Sequence, residues 1–177
     1  MISKTARLCV ADNQYWIHGD IFDVTEWRYT GFNGLVASVA APGVLRDPGD
    51  FAIVMTGTES GPVNVTVQAD AHAPGPADLN AWDEVVEVSL MLPGEKPAVV
   101  TDFDDDESSS LPAFTVLGPG PYRVRVHARG RDAGQEVLMV EDEPVEEHLI
   151  QVWPAPAAPT QVIKTSDTYG TTFRSQN

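Results

Sequence analysis

The chain has 177 residues, 42% of them hydrophobic, which is enough for one core of ordinary size and argues against disorder throughout. Its formal net charge of -15, from 26 acidic and 11 basic residues, disfavours nucleic acid and anionic membranes as ligands, because both would be repelled. A single cysteine, Cys9, excludes an internal disulfide framework and the usual cysteine-rich zinc site. Without a signal-like or bilayer-length apolar run, the sequence predicts a soluble cytoplasmic protein.

Alternation of apolar and polar residues predicts short β-strands along most of the chain, each with one buried face. The clearest alternation is Tyr122–Arg129, where apolar side chains and Arg or His side chains take opposite faces. In chain order, the candidate strands are Arg7–Ala11, Gln14–His18, Leu35–Ala41, Phe51–Thr56, Val63–Ala69, Val86–Leu92, Ala98–Thr101, Ala113–Leu117, Tyr122–Arg129, Glu136–Val140 and His148–Trp153.

Frequent turn signals, from 14 glycines and 14 prolines, leave room for strands and not for long helices. The pattern predicts an all-β protein, an antiparallel β-sandwich of jelly-roll-like form with about ten short strands. The one helical turn we expect covers Asp78–Val85. Residues 1–153 are predicted to form the sandwich domain, and 154–177 a Pro-rich, then polar, extended C-terminal tail. Removing Thr160–Asn177 should change the melting temperature little.

Acidic residues are concentrated in two windows, Asp83–Glu107 and Glu136–Glu147, which hold 15 of the 26 acids. One interpretation is an acidic face that binds a basic protein, as an inhibitor does in a nuclease's phosphate-binding groove. The other is that these charges keep a β protein soluble and its edges unpaired. The candidate partner-binding residues are Asp102, Asp104, Asp105, Asp106, Glu107, Glu141, Asp142, Glu143, Glu146 and Glu147.

The carboxylates of Asp102, Asp104 and Asp106 have the opening spacing of a calcium loop. Glu107 and Ala113 stand where an EF-hand needs a glycine and a bidentate acid, so that motif is excluded. A looser calcium site and a solvated acidic turn both stay open.

Arg123, Arg125 and Arg129, followed by Arg131, line the outward face of one predicted strand in an otherwise acidic chain. Guanidinium groups in a row suit phosphate or carboxylate ligands, which makes this stripe an alternative ligand face. The same arginines could instead pair across strands with acids of Asp83–Glu87 or Glu136–Glu147.

Signatures of catalysis or metal binding do not emerge from the sequence. Gly57–Gly61 places its serine one position late for a nucleophile elbow, and His18, His72, His127 and His148 show no metal-ligand spacing. We therefore predict no catalytic residue, no metal and no cofactor. The expected function is non-enzymatic binding of a basic macromolecule; a small-ligand or calcium-assisted binding module is the alternative.

Two segments, YRVRVHARGRD at 122–132 and EEHLIQVWPA at 146–155, carry a resemblance. They are similar to a pattern found in uncharacterised acidic bacterial proteins. The order of strand, acidic loop, Gly-Pro turn, YRVR strand, acidic segment and LIQVW strand also resembles the bacterial competence protein J family, which inhibits a DNA-entry nuclease. The resemblance covers the C-terminal third and implies a nuclease inhibitor or an immunity-type protein, without any catalytic residue.

Overall fold

The computed structural model describes residues 1–18, 28–40, 49, 51–92, 99–101, 111–114, 118–137 and 143–175. Its strands are β1 (Ile2–Val10), β2 (Gln14–His18), β3 (Arg28–Phe32), β4 (Val36–Ala40), β5 (Phe51–Met55), β6 (Gly61–Ala69), β7 (Glu84–Leu92), β8 (Val99–Thr101), β9 (Gly120–Arg129), β10 (Glu147–Pro154) and β11 (Gln161–Thr165). The helices are α1 (Arg131–Glu136) and α2 (Thr168–Arg174). The protein is thus mostly β, as predicted.

The strands form two sheets. One has six strands in the order β1-β6-β10-β9-β7-β11, and the other has five in the order β3-β4-β5-β2-β8. The β6–β10 pair is parallel, so the six-stranded sheet is mixed and the expectation of purely antiparallel sheets is wrong. The described residues contain eleven strands rather than ten.

Both sheets contribute side chains to one hydrophobic core. Val65 of β6 and Val126 of β9 belong to it, together with Ile17 of β2 and Val54 of β5. Along β6 the burial alternates as the sequence pattern predicts. The other face of β5 packs in a second apolar cluster with Tyr169 of α2, which explains why every residue of this strand is apolar and buried.

Some expected elements differ from those observed. The helix expected at Asp78–Val85 is wrong: the Asp78 carboxylate accepts the Asn80 N–H in a turn, and β7 begins at Glu84. Glu136 ends α1 rather than starting a strand, and Ala113 is not in a strand. Phe114 and Val137 are not in strands either, and residues 115–117 and 138–140 lie outside the described residues.

The C-terminal segment differs most from expectation. Residues 155–160 are in neither a helix nor a strand, but β11 then pairs with β7 and α2 follows it. Tyr169 and Asp167 are buried, so the segment is part of the fold and not a loose tail. Polar contacts and the side chains of Tyr169 and Phe173 hold this C-terminal segment in place. The pattern of apolar residues in the sequence could not reveal such contacts. Within the described parts of the chain, neither helix is long and apolar enough to cross a membrane.

Candidate functional site

The arginine stripe lies on the outward face of β9, and that face is largely covered. Arg123 donates to the Glu87 carboxylate at 2.9 Å, to Ser89 Oγ at 2.8 Å and to the Ala158 carbonyl at 2.8 Å. Its side chain is only 4% exposed. The extended segment that follows β10 therefore lies across this part of the sheet.

The other two arginines of the stripe are also paired. Arg125 donates to Glu87 at 3.0 Å and stacks over Trp153, while Arg129 contacts Glu147 at 2.5 Å. These are the cross-strand pairs that the second interpretation of the stripe predicts. Arg123 and Arg125 share the Glu87 carboxylate and Arg129 has that of Glu147, so all three guanidinium groups have a carboxylate partner within this chain.

The second acidic window is divided by the fold. Glu143 is 82% exposed and pairs with Arg7, and Glu147 is 44% exposed. Glu146, in contrast, has no exposed surface, so its assignment to the partner-binding surface is corrected. The remaining candidates, Asp102, Asp104, Asp105, Asp106, Glu107, Glu141 and Asp142, lie outside the described residues.

Glu146 anchors a buried hydrogen-bond network. Its carboxylate accepts the N–H groups of Gly57 at 3.2 Å and Thr58 at 2.9 Å, and the Nε2–H of His148 at 2.7 Å. Burial acts to raise the pKa of Glu146, but the His148 and Thr58 hydrogen bonds outweigh it and the pKa is lowered from 4.5. A β-carbon on Gly57 would lie 1.9 Å from the Arg131 carbonyl, so only glycine fits there.

His148 continues this network across the two sheets. Its Nδ1 lies 2.8 Å from the Tyr15 hydroxyl, which belongs to β2 of the five-stranded sheet. Burial raises the pKa of Tyr15 well above 10.0. A carboxylate, an imidazole and a hydroxyl in series resemble a catalytic relay, but Tyr15 is 1% exposed and substrate cannot reach it. The network joins the sheets.

Arg131 is a second buried centre, adjacent to the first. Its Nε donates to Asp167 at 2.6 Å, its Nη1 donates to the Gly34 carbonyl at 2.8 Å, and its guanidinium lies 5.3 Å from the Tyr169 ring centroid. The side chain is 0% exposed. The sequence analysis placed Arg131 with the outward stripe of β9, and this placement is wrong. Gly130, with a φ of 81°, follows the last residue of β9 and turns the chain, so that the Arg131 side chain lies in the interior.

Further polar contacts fasten α2 to the body of the protein. Arg174 donates to both carboxylate oxygens of buried Glu84, at 2.9 and 3.2 Å. Desolvation raises the pKa of Glu84, opposed by the hydrogen bonds from Arg174. Asp132 accepts the first N–H groups of α2, those of Thr168 and Tyr169.

Exposed acids gather where four chain segments meet around loop 57–60. Asn13 donates its backbone N–H to the Glu59 carbonyl, α1 packs Gly134 against Thr58, and Glu146 holds the loop from below. We name as the acidic end the four exposed carboxylates that these segments carry: Asp12, Glu59, Glu136 and Glu143. In the sequence, Glu141 and Asp142 directly precede Glu143.

A shallow groove lies at the opposite end of β6. It has a volume of about 260 Å³, and Gln68, Gln151, Asp70 and His72 are among its lining residues. Hydrogen bonds from the amino terminus and from the His72 N–H hold the pKa of Asp70 at about 2. Over the described residues, no group of three or more His, Cys, Asp or Glu side chains could hold a metal ion.

No family model matches this chain, and no curated protein matches it either. Among solved structures, one described as "Crocagin biosynthetic gene J" is similar, with a TM-score of 0.43 and 15% sequence identity. The match covers 87% of this chain and 99% of that chain.

Proposed function

We propose that this protein is a non-enzymatic acidic binding protein, and that the acidic end contacts a basic macromolecular partner. The observation that carries the proposal is the convergence of Asp12, Glu59, Glu136 and Glu143 on neighbouring segments around one loop. A group of exposed carboxylates attracts a basic protein at long range and favours one orientation on contact.

The distribution of cations supports this proposal. Six arginines form ion pairs inside the chain: Arg7, Arg123, Arg125, Arg129, Arg131 and Arg174. In the described part of the chain, no cation lies within salt-bridge distance of Asp12, Glu59 or Glu136. These six arginines are therefore paired with other carboxylates, and Asp12, Glu59 and Glu136 face solvent without a cationic partner among the described residues.

The closed interior favours binding over catalysis. Among the described residues, Glu146, His148 and Tyr15 resemble a catalytic set, yet all three are buried, and His148 is hydrogen-bonded to each of the other two. Their geometry suits a fixed scaffold for loop 57–60, which carries Glu59. The proposal accordingly assigns these residues to shaping the acidic end.

The finer parts of the proposal rest on the sequence. A nuclease with a basic phosphate-binding groove is the partner class that the resemblance implies, which would make this chain an inhibitor or immunity-type protein of the cytoplasm. We propose in addition that the two sheets form a β-sandwich, because their inner faces share one core.

Affinity capture tests the proposed function. The full chain is immobilised beside a matched column of the Asp12→Asn, Glu59→Gln, Glu136→Gln variant, and both receive lysate of the source cell. We expect a basic protein to be retained by the wild type, to elute with salt and to be lost from the variant column. If that protein has nuclease activity, the free chain should inhibit it. Equal retention on both columns contradicts a role for the acidic end.

A further inference from the structure

The last part of the chain docks as one unit on surfaces formed far away in the sequence. Residues 158–174, which we name the clasp, bind β7 through Ala158 and β11, and bind Arg131, Asp132 and Glu84 through α2 and its cap. The hydrogen bonds within α2 and the Asp167 cap are internal to the clasp. None of these contacts depends on the covalent link between the clasp and β10.

That link is short and weakly held. Residues 155–157 are an Ala-Pro-Ala hinge between Pro154, the last residue of β10, and Ala158. Pro156 and Ala157 are exposed, and one hydrogen bond ties the hinge to the body, from the Ala155 N–H to the Pro121 carbonyl. Flanking prolines at 154, 156 and 159 favour extended backbone, which points the clasp away from β10.

The docking site matches this clasp in shape and charge. Gly34 and Gly170 allow a close approach, because a β-carbon on either would lie within 2.5 Å of an arginine nitrogen of the opposing group. Asp167 fits buried Arg131, and Tyr169 fills the apolar cluster on β5. The same segment of another molecule of this chain would satisfy all of these contacts equally well.

From these features we propose that two copies of this chain exchange their clasps, forming a symmetric dimer in which each clasp docks on the other body. The exchange conserves every contact of the clasp and changes only the hinge. Because two molecules must combine, the dimer fraction rises with protein concentration. Because Arg131–Asp167 and Glu84–Arg174 must first separate, interconversion with the monomer is slow.

Shortening the hinge tests the geometry. Pro154 on β10 and Ser89 on β7, which holds Ala158, are two strand spacings apart, roughly 10 Å. Deleting residues 155–157 would join Pro154 directly to Ala158, and consecutive Cα atoms lie only about 3.8 Å apart. The clasp then cannot reach its own site. We expect the deletion variant to be dimeric and to melt cooperatively, whereas inserting six Gly and Ser residues at the same place should give a monomer.

Cross-linking identifies which body each clasp occupies. In a Cys9→Ser background, Asp132→Cys and Thr168→Cys place two thiols where the Thr168 N–H now lies 3.0 Å from the Asp132 carboxylate. This double-cysteine variant, with residues 155–157 unchanged, is refolded at low and at high protein concentration. Monomer and dimer are separated by size-exclusion chromatography, identified by mass, and then oxidised. We expect the dimer fraction to grow with concentration and to run as a covalent dimer on a non-reducing gel. Single-cysteine variants are the matched control.

Two results would overturn the exchange. One is a wild-type chain that stays monomeric at every refolding concentration. The other is a dimer whose cross-links all fall within single chains, since this would show that each clasp stays on its own body. A deletion variant that folds as a monomer with a free clasp would also contradict the argument from hinge length. If the deletion variant does not fold, refolding and cross-linking of the chain with its natural hinge decide the question alone.

Discussion

Glu146 and Glu147 are adjacent in the sequence, and only one of them meets solvent. Glu147 lies on β10 and pairs with Arg129 at the surface, whereas Glu146 turns inward to the N–H groups of loop 57–60. A count of acids along the chain cannot separate the two, because the difference comes from backbone donors of a distant segment. The sequence holds one weak signal for the burial of Glu146: His148 stands two residues later, and residues two apart on a strand share the same face.

Protonation of Glu146 links stability to pH. Its folded pKa is lowered from 4.5, so the ionised carboxylate stabilises the folded protein above about pH 4.5, and this contribution is lost as the pH falls through the folded pKa. We expect Glu146→Gln to be clearly less stable than the wild type at pH 7, with a difference that shrinks as the pH falls towards 3. Urea unfolding across that range measures it. A constant difference would mean that the carboxylate charge is not involved.

Replacing Arg131 should be among the most damaging single changes. Arg131→Met leaves Asp167 buried without its cation, and removing one partner of a buried pair costs about 3–5 kcal/mol. Arg129→Met, which breaks the exposed pair with Glu147, is the matched control and should cost less than about 1 kcal/mol. Chemical denaturation of both variants provides the comparison. Similar losses would contradict the buried pairing.

At the scale of elements, alternation located strands well where one face is buried. It gives the bounds of β2 as observed and places β6, β9 and β10 within a few residues. It could not find β11, whose side chains are half-buried or exposed, or α1, which has only six residues and no room for a helical stripe. Nor could it show that the outward face of β9 is covered, since the covering segment follows β10 in the sequence.

Removal of residues 160–177, which include all of the clasp except Ala158 and Pro159, tests how much of the fold depends on it. Truncation before Thr160 strips the cation from Glu84 and the anion from Arg131, and uncovers the apolar cluster on β5. Loss of the two ion pairs together with the apolar burial at Tyr169 should cost about 3–5 kcal/mol, which for a chain of this size lowers the melting temperature by roughly 10 °C. We expect at least that loss by circular dichroism. A melting temperature within 2–3 °C of the wild type would agree instead with the dispensable tail that the sequence favoured.

At the scale of the whole molecule, the fold places exposed acids at one end of β6 and Asp70 at the other. The nine residues of β6 separate them by roughly 30 Å, several Debye lengths at physiological salt. The sequence predicted an excess of acids but not this grouping, because Asp12, Glu59 and Glu136 are widely spaced in the chain. Only the pairing of strands brings them together.

Weak or absent calcium binding by Asp102–Glu107 stays a prediction, because these residues lie outside the described part of the chain. We expect millimolar calcium to leave the melting temperature nearly unchanged, because a ligand stabilises only in proportion to its saturation of the folded state. Differential scanning fluorimetry of the wild type and of Asp104→Asn with Asp106→Asn tests this. A rise of many degrees that the double variant abolishes would favour the calcium-assisted module.

The measurement that bears most directly on the acidic end is the rate at which the captured basic partner associates, at low and high salt. Three single-charge variants are compared with the wild type: Glu59→Gln and Glu136→Gln at the acidic end, and Asp70→Asn at the far end as the matched control. We predict that the two acidic-end variants slow association at low salt, that the control changes it little, and that high salt removes the differences. Combining Asp12→Asn with both acidic-end changes should slow association on the order of tenfold. An association rate that ignores salt, or that falls equally for all three single variants, would contradict the account.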